Sequence, residues 1–306
     1  MVYTVIFLES FLVTLVLTPV IKRVAINRGV LDYPGKVLKI HANPIPYLGG
    51  LAIWIAVMSG LVVGRLIRGN FGSEVAGIFL GGGLITLVGL WDDLKNIRPA
   101  WKLAGQLAAG LVLAGLNYKI GYTFRDISTI LWVFLCVVGG ANAVNLIDGL
   151  DGLATGLSAL MAAGFLVLFV WQGDSLGIMV SAALLGACLG FIPYNFHPAS
   201  IFMGDSGSNY IGFLLAVMVL RVSLQSAQLS LIILPGFLMA YPIMDTLAAI
   251  IRRIKRRSSV FIGDRAHLYD RLFQKGFSQK EVAYISYGIE FTFILAGLFL
   301  YRISAK

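Results

Sequence analysis

Residues 142–152 read NAVNLIDGLDG, and this polar stretch follows an apolar run over residues 130–138. Asn142, Asn145, Asp148 and Asp151 recur every three residues, a spacing that places neighbouring side chains along one helix face. An aspartate at the centre of a membrane helix costs about 2.5–3.5 kcal/mol, so it is rarely without a role. Carboxylates and amides suit a Mg²⁺–phosphate complex, because Mg²⁺ prefers oxygen ligands shared with substrate phosphates. The alternative is a polar helix end that caps itself in the interface.

The composition indicates an integral membrane protein. Of 306 residues, 58% are hydrophobic and only 13% are charged, and the mean hydropathy is +0.86. Cys136 and Cys188 both lie in apolar runs, as small core residues do. The net charge of +9 does not predict a nucleic-acid partner, because the basic residues lie in loops between apolar runs. The N-terminus lacks a basic leader segment and is predicted to be a retained first span.

We predict an all-α polytopic fold with about ten transmembrane helices, in a single domain over residues 1–306. The shortest predicted connection is Gln172-Gly173-Asp174, between the sixth and seventh spans. The predicted spans cover residues 2–21, 48–64, 75–91, 101–117, 128–146, 153–172, 175–193, 207–222, 228–251 and 281–301.

The distribution of basic residues predicts the orientation. Loops after odd-numbered spans hold 17 of the 24 Lys and Arg residues, and the other side holds 7. Odd-span loops are therefore predicted to face the cytoplasm, with both termini outside. A set of unusual polar residues falls entirely on this cytoplasmic side, although only basic residues were used to assign it. These residues are Asp92, Asp93, Asp148, Asp151, Asp205 and His267.

The first cytoplasmic loop, LDYPGKVLKIHANPIPYLGG, places Lys36, Lys39 and His41 beside a Pro-rich turn. The two lysines are candidates to pair with phosphate. The alternative is that they are ordinary membrane-flanking lysines and that His41 is an interfacial histidine.

A second polar segment, GLWDDLKNIRPAWKLAGQ, places Asp92 and Asp93 where a span meets water. Adjacent carboxylates repel each other unless a cation or a proton intervenes. Neighbours on a helix lie about 100° apart, so one can face a metal while the other faces the nucleophile. Lys95 and Lys102 are near enough to neutralise phosphate. The alternative is a solvated interface.

A third segment, YNFHPASIFMGDSGSNYIGF, contains Asn195 at a span end, Phe202 as a candidate to stack on a base, and Asp205 before the next span. Asp followed by Ser and Gly is also typical of a helix N-cap, which is the alternative role for Asp205. His197 precedes Pro198 and is equally explained as a turn residue.

The last cytoplasmic loop runs from residue 252 to residue 280. Its RRIKRR run is explained by topology and lipid phosphates. Arg265, His267, Asp270 and Arg271 form a separate group that suits binding of a pyrophosphate or protonation of a leaving group. A surface amphipathic turn is the alternative. Asp245 is a buried charge with no partner that the sequence identifies.

Taken together, these segments resemble a known superfamily. NAVNLIDGLDGLATG, WDDLKN, the segment from Asn195 through FMGDSGS, and the DxP…H…P.P.GG loop resemble the polyprenyl-phosphate N-acetylhexosamine-1-phosphate transferases. The resemblance extends from Asp32 to Arg271 with the motifs in order. It implies ten spans, a cytoplasmic active site in the cell membrane, a UDP-sugar donor, a polyprenyl-phosphate acceptor and Mg²⁺, with Mn²⁺ as an alternative ion. It leaves open whether the chain forms a homodimer.

The resemblance also implies roles for individual residues. Asp205 and Asp92 are expected to bind the metal, and Asp92, Asp93 and His267 to be catalytic. Phe202 and the backbone at Gly152 and Leu153 are expected to bind uridine. With the phosphate-binding candidates above, the expected substrate-binding residues are Lys36, His41, Lys95, Lys102, Asn145, Asp148, Asp151, Gly152, Leu153, Asn195, Phe202, Arg265 and Arg271.

The last loop departs from the family pattern. The peptidoglycan branch typically carries three consecutive histidines there, and many GlcNAc-1-phosphate transferases carry HxHH. This chain has only His267, in HLYDRL, and resembles the GlcNAc-1-phosphate branch more closely. Asp270 or Arg271 is a candidate for a role usually filled by histidine.

The expected reaction transfers GlcNAc-1-phosphate from UDP-GlcNAc to a polyprenyl (undecaprenyl) phosphate and releases UMP, as a first membrane step of cell-wall or surface polysaccharide assembly. Direct displacement and a covalent aspartyl intermediate both remain open. The alternatives are a phospho-MurNAc-pentapeptide transferase or, in a different class, a secondary transporter. Transport is disfavoured because the acids cluster at one face and the two halves share no pattern.

Overall fold

The computed structural model describes residues 1–34, 43–69, 72–116, 127–224, 229–257 and 266–304. These ranges are almost entirely helical, which confirms the predicted all-α fold. Lys36, Lys39, His41 and Arg265 lie outside the described residues. The helices are α1 Val2–Asn27, α2 Gly49–Arg68, α3 Ser73–Lys95, α4 Pro99–Leu116, α5 Ile127–Ile147, α6 Leu153–Gln172, α7 Ser175–Asn195, α8 Gly204–Leu224, α9 Leu229–Leu238, α10 Ala240–Lys255, α11 Leu268–Gln274 and α12 Gln279–Ser304.

Eight of the described helices are long and apolar enough to cross a membrane, namely α1, α2, α3, α5, α6, α7, α8 and α12. α1 has only 22% of its most apolar window buried and exposes Leu8, Leu12 and Val16 along one side, as expected of a helix that faces lipid. These helices make the chain a polytopic membrane protein. The total of ten spans and the outward position of the termini stay predictions.

The predicted span over residues 228–251 is not a single helix, because the structure divides it at Met239 into α9 and α10. The Tyr241 N–H donates to Glu290 Oε2 of α12 at 2.7 Å instead of continuing the α9 ladder. Pro242 supplies no N–H and therefore fits the first turn of a new helix. A buried glutamate on a distant helix thus caps α10 at the point where the apolar run breaks.

The short connection between the sixth and seventh spans is confirmed. Gly173 ends α6 with φ +70°, and the Asp174 side chain then accepts the N–H groups of Leu176 and Gly177 at 3.2 and 3.1 Å. Arg221 at the end of α8 pairs with the same carboxylate at 2.7 Å. This pairing holds the turn against the central helix.

α8 is the central helix, with 83% of its most apolar window buried, and it packs against α2, α3 and α5. Small residues allow this close packing, as is usual between membrane helices. A Cβ added at Gly140 of α5 would lie 2.6 Å from the Gly212 carbonyl oxygen of α8. The two backbones therefore touch, and α5 and α8 bring their polar ends together.

Backbone hydrogen bonds join two loops at the polar end of the bundle. Strand β1, Leu31–Asp32, pairs antiparallel with β2, Ile45–Pro46. The segment after α7 joins this hairpin, because Phe202 N donates to the Pro46 carbonyl at 2.8 Å and Gly49 N donates to the Phe202 carbonyl at 3.0 Å. Phe202 is thereby fixed beside the start of α2.

Candidate active site

The polar ends of α3, α5, α7 and α8 surround a cavity of about 540 Å³, which is within the size range of small-molecule sites. The acidic groups predicted to meet on one face of the bundle do meet there. The lining residues are Asp32, Tyr47, Asp93, Asn145, Asp148, Gly149, Leu150, Asp151, Asn195, Phe202, Gly204, Asp205 and Gln279.

Lys102 joins three helices at the edge of this cavity. Its ammonium forms ion pairs with Asp205 of α8 and, at 3.3 Å, with Asp92 Oδ2 of α3. It also donates to Asn145 Oδ1 of α5 at 3.4 Å. Only 16% of the Lys102 side chain is exposed, so its charge acts on these partners with little screening. Residues far apart in the chain thus form one mixed-charge cluster.

Asp93 points in a different direction from Asp92. Its carboxylate accepts the N–H of Asp205 at 2.7 Å and the N–H of Ser206 at 3.1 Å, at the first turn of α8. Gly204 precedes these donors with φ +71°, and a Cβ there would lie 2.8 Å from Asp93 Oδ2. Asp93 therefore caps α8 from another helix. The N-cap role considered for Asp205 belongs to Asp93.

Amides hold both the side chain and the main-chain carbonyl of Asp205. Asn145 Nδ2 donates to Asp205 Oδ1 at 2.7 Å, and Asn209 Nδ2 donates to the Asp205 carbonyl at 2.6 Å. Gln106 Nε2 donates to Asn209 Oδ1 at 3.0 Å, and Asn142 donates to Gln106 Oε1 at 2.9 Å. This buried ladder fixes the orientation of Asp205, since each amide has a defined partner.

Asp148 lies in the turn that links α5 to α6, residues 148–152, which we call the Asp148 turn. Its side chain receives no hydrogen bond within the described ranges and faces the cavity. Burial, together with repulsion from Asp205, Asp93 and Asp151, raises the pKa of Asp148 well above its usual value. This carboxyl group is suited to take up a proton or a positively charged ligand.

Asp151 is fixed by the loop that follows α7. Its Oδ2 accepts from His197 Nδ1 at 2.8 Å and from the Ala199 N–H at 3.0 Å. Asn195 fixes the same loop, because it accepts from Thr155 at 2.6 Å and donates to the Ile201 carbonyl at 3.1 Å. His197, which the sequence explained equally well as a turn residue, is thus a direct partner of a cavity carboxylate.

Other predicted residues lie away from the cavity. Lys95 and Arg271 are exposed, and Arg271 Nε donates to the Ala266 carbonyl at 3.1 Å. His267 is buried against Asp245. Gly152 and Leu153 form the start of α6, where the Leu153 N–H is bonded to the Leu150 carbonyl at 3.1 Å. The part of the Asp148 turn that lines the cavity is Asp148 to Asp151.

Three residues that line the cavity were not among the predicted site residues, namely Asp32, Tyr47 and Gln279. Tyr47 OH donates to the Asp93 carbonyl at 2.8 Å. Burial and the charges of Asp93 and Asp32 raise the pKa of Tyr47, so the hydroxyl remains a donor. Its place between Pro46 and the Gly49-Gly50 pair was the available signal, since that turn brings the chain into contact with the loop after α7.

No group of three or more His, Cys, Asp or Glu side chains that would hold a metal by themselves occurs in the part of the chain that the structure describes. The Asp92 and Asp205 carboxylates nevertheless converge on a positive charge, that of Lys102, and Asp148 faces the same space. This donor set fits a cation that also takes oxygen ligands from a substrate, as Mg²⁺ commonly does.

The fold and the site define a helical membrane protein with a charged, partly enclosed cavity at one end of its bundle. Residues 75–223 match the sequence model of glycosyl transferase family 4. The chain belongs to that family, within the polyprenyl-phosphate hexosamine-1-phosphate transferase superfamily.

Similar proteins span nearly the whole chain. A probable undecaprenyl-phosphate N-acetylglucosaminyl 1-phosphate transferase of Bacillus subtilis is 33% identical over 303 residues, which are 96% of this chain and 84% of that protein. A decaprenyl-phosphate N-acetylglucosaminephosphotransferase of Mycolicibacterium smegmatis is 34% identical over 92% of this chain and 77% of its own length. A phospho-N-acetylmuramoyl-pentapeptide-transferase of Desulforamulus reducens is 31% identical over 97% of this chain and 96% of its own length.

Proposed function

We propose that this protein transfers GlcNAc-1-phosphate from UDP-GlcNAc to a polyprenyl phosphate and releases UMP. The observation that carries the proposal is the cluster of Lys102, Asp92, Asn145 and Asp205 beside a cavity large enough for a nucleotide. The names of two similar proteins, which specify N-acetylglucosamine and a polyprenyl phosphate, support this donor and acceptor. A phospho-MurNAc-pentapeptide donor is the second candidate, supported by the relative from Desulforamulus.

In the proposed reaction, a phosphate oxygen of the acceptor attacks the β-phosphorus of the donor. A P–O bond to that phosphorus forms, the bond to the UMP oxygen breaks, and the new product is polyprenyl diphosphate-GlcNAc. Such transfers need mainly positioning and charge stabilisation. The second pKa of the acceptor phosphate is about 6, so it attacks largely without help from a base.

Lys102 supplies the positive charge that this reaction requires. Its ammonium is held between Asp92 and Asp205, and an incoming phosphate oxygen can replace one of these carboxylates as its partner. Asp92 keeps one oxygen on the Ile97 N–H at 2.8 Å and is placed to orient the acceptor phosphate. Asp93 takes a different role, because both of its carboxylate oxygens are bonded to the first turn of α8.

The nucleotide is proposed to occupy the side of the cavity formed by Phe202, Asp151 and the Asp148 turn. Phe202 offers a ring for base stacking. Asp151 has one oxygen fixed by His197 and Ala199, which leaves the other to accept from a nucleotide or sugar donor group.

Mg²⁺ is proposed as the cofactor, with Asp205 and Asp92 as its protein ligands and Mn²⁺ as an alternative ion. When bound, it would neutralise the donor diphosphate and make UMP a better leaving group. Asn145 and Asn209 would keep Asp205 oriented for this role. The site is proposed to face the cytoplasm, because the loops that follow odd-numbered predicted spans hold 17 of the 24 basic residues in the sequence.

The test uses the purified full-length chain in detergent with undecaprenyl phosphate and a panel of UDP-sugars that includes UDP-GlcNAc and UDP-MurNAc-pentapeptide. UMP release is measured with Mg²⁺, with Mn²⁺ and with EDTA. We expect UMP release with UDP-GlcNAc, dependent on lipid and on a divalent ion. Release only with UDP-MurNAc-pentapeptide would establish the second candidate, and full activity in EDTA would exclude the metal.

A further inference from the structure

Helix α11 packs against the Asp148 turn through Tyr269. Tyr269 is buried, and its hydroxyl donates to the Leu146 carbonyl oxygen at 3.3 Å. Its ring also fills the space beside Gly149, since a Cβ added to that glycine would lie 2.6 Å from Tyr269 Cζ. The phenol therefore contacts the backbone on both sides of Asp148.

Tyr269 is held in turn by a buried pair of side chains, His267 and Asp245. The His267 ring stacks on it with centroids 5.4 Å apart and an interplanar angle of 3°. His267 Nδ1 lies 2.6 Å from Asp245 Oδ2, and the Leu268 N–H donates to Asp245 Oδ1 at 2.8 Å. The His267 and Asp245 side chains are only 4% and 2% exposed. A carboxylate that accepts two such bonds fixes both the imidazole plane and the start of α11.

Helix α10, which carries Asp245, is itself held by α12. The Tyr241 N–H of α10 donates to Glu290 of α12, and the Ser286 hydroxyl of α12 donates to the Tyr241 hydroxyl at 2.9 Å. Both α12 side chains are fully buried. These contacts fix α10 against α12, and α10 in turn presents Asp245 to His267.

We infer that Asp245, His267 and Tyr269 are positioning residues that hold Asp148 at the cavity. Asp148 and Gly149 line the cavity, whereas His267 is absent from the lining residues in the described part of the chain. His267 therefore acts through the stacked Tyr269 ring, and it does not transfer a proton to the leaving group. This inference rests on the proposed function, because it places the sugar-nucleotide donor beside Asp148.

The first test compares His267→Asn with His267→Ala in the UMP-release assay. The asparagine Nδ2–H can replace the imidazole Nδ1–H as donor to Asp245, but it cannot act as an acid. We expect both variants to keep kcat within about threefold of the wild type, because neither loses a catalytic acid. The donor KM should rise by about tenfold in His267→Ala and by less in His267→Asn, which keeps the bond to Asp245 but loses the ring that stacks on Tyr269. The KM for the lipid phosphate should not change. Equal loss of kcat in both variants would overturn the inference.

The second test is a double-mutant cycle at the contact itself. Gly149→Ala and Tyr269→Ala should each raise the donor KM by about tenfold. The double variant should be no worse than Tyr269→Ala alone, because the added methyl group then has room. If the double variant instead shows an increase in donor KM equal to the product of the two single increases, the inference is overturned. If His267→Ala does not fold, this cycle still tests whether Tyr269 positions the Asp148 turn.

A matched control and a second readout separate this inference from the proposed function. Tyr301 stacks on Trp171 near the end of α12, so Tyr301→Phe should leave both KM values unchanged. Melting temperatures in detergent, measured for all four members of the cycle, report the contact between Tyr269 and Gly149 without any turnover. If the wild type releases no UMP from any donor, the proposed function fails. Additive melting-temperature losses in the cycle would instead exclude the contact.

Discussion

The capping role of Asp93 predicts that its asparagine and alanine variants will differ. Asparagine retains an oxygen that can accept one of the two N–H groups of α8, whereas alanine retains none. Loss of a helix cap costs about 0.5–2 kcal/mol, and a hydrogen bond to a charged group contributes about 1.5–3 kcal/mol. We therefore expect Asp93→Ala to lose about 2–3 kcal/mol of stability and Asp93→Asn about 1 kcal/mol.

Activity should follow the same order, because these N–H groups belong to Asp205 and its neighbour Ser206. An uncapped first turn moves Asp205 away from Lys102, and a displacement of about 1 Å can cost about a hundredfold in rate. Asp93→Asn should therefore be clearly more active than Asp93→Ala.

The assay pairs UMP release with melting temperature in detergent for the wild type and both variants. If Asp93 were instead a catalytic base, both variants would be inactive, since neither asparagine nor alanine can take up a proton. Equal inactivity of the two variants, with both melting temperatures unchanged, would refute the capping role and leave Asp93 as a catalytic group.

Three further predictions concern single side chains. Lys102→Met leaves Asp205 without its cation, so we expect at least about a hundredfold loss of kcat; unchanged kcat in the UMP assay would contradict this role. The raised pKa of Asp148 predicts a folded state that loses stability as pH rises from about 4 through that pKa. In the absence of divalent ions, Asp148→Asn should therefore have a higher melting temperature than the wild type at about pH 8 but not at about pH 4. Equal melting temperatures of the two proteins at both pH values would contradict a raised pKa of Asp148. His197→Asn preserves a donor to Asp151 and should keep the donor KM within about threefold, whereas His197→Ala should raise it; identical KM values would show that this bond does not position Asp151.

The sequence predicted the helical membrane fold because long apolar runs report spans directly. It also predicted that the acids meet, because alternate loops must lie on one side of a membrane. The short turn at Gly173 and Asp174 followed from residues that act locally as a helix end and a helix cap. The spans and this turn depend on neighbouring residues alone.

The features that could not be predicted depend on contacts between distant residues. The apolar run over residues 228–251 contains no local signal strong enough to place its break at Met239, because the group that caps α10 is Glu290, 49 residues beyond Tyr241. Asp93 and the α8 N–H group that it caps are 112 residues apart. The Asp-Ser-Gly pattern at Asp205 suggested a local cap, but the distant carboxylate took that position.

The contact between Gly140 and Gly212 has a consequence for the dimensions of the charged cluster. Gly140 precedes Asn145 on α5, and Gly212 follows Asp205 on α8, so the separation of these two backbones determines how closely the amide and the carboxylate approach. A methyl group at either glycine would push the helices apart and lengthen the 2.7 Å bond between Asn145 and Asp205. Inactivating substitutions are therefore expected deep in the apolar bundle, at positions that never meet a substrate and carry no functional group of their own.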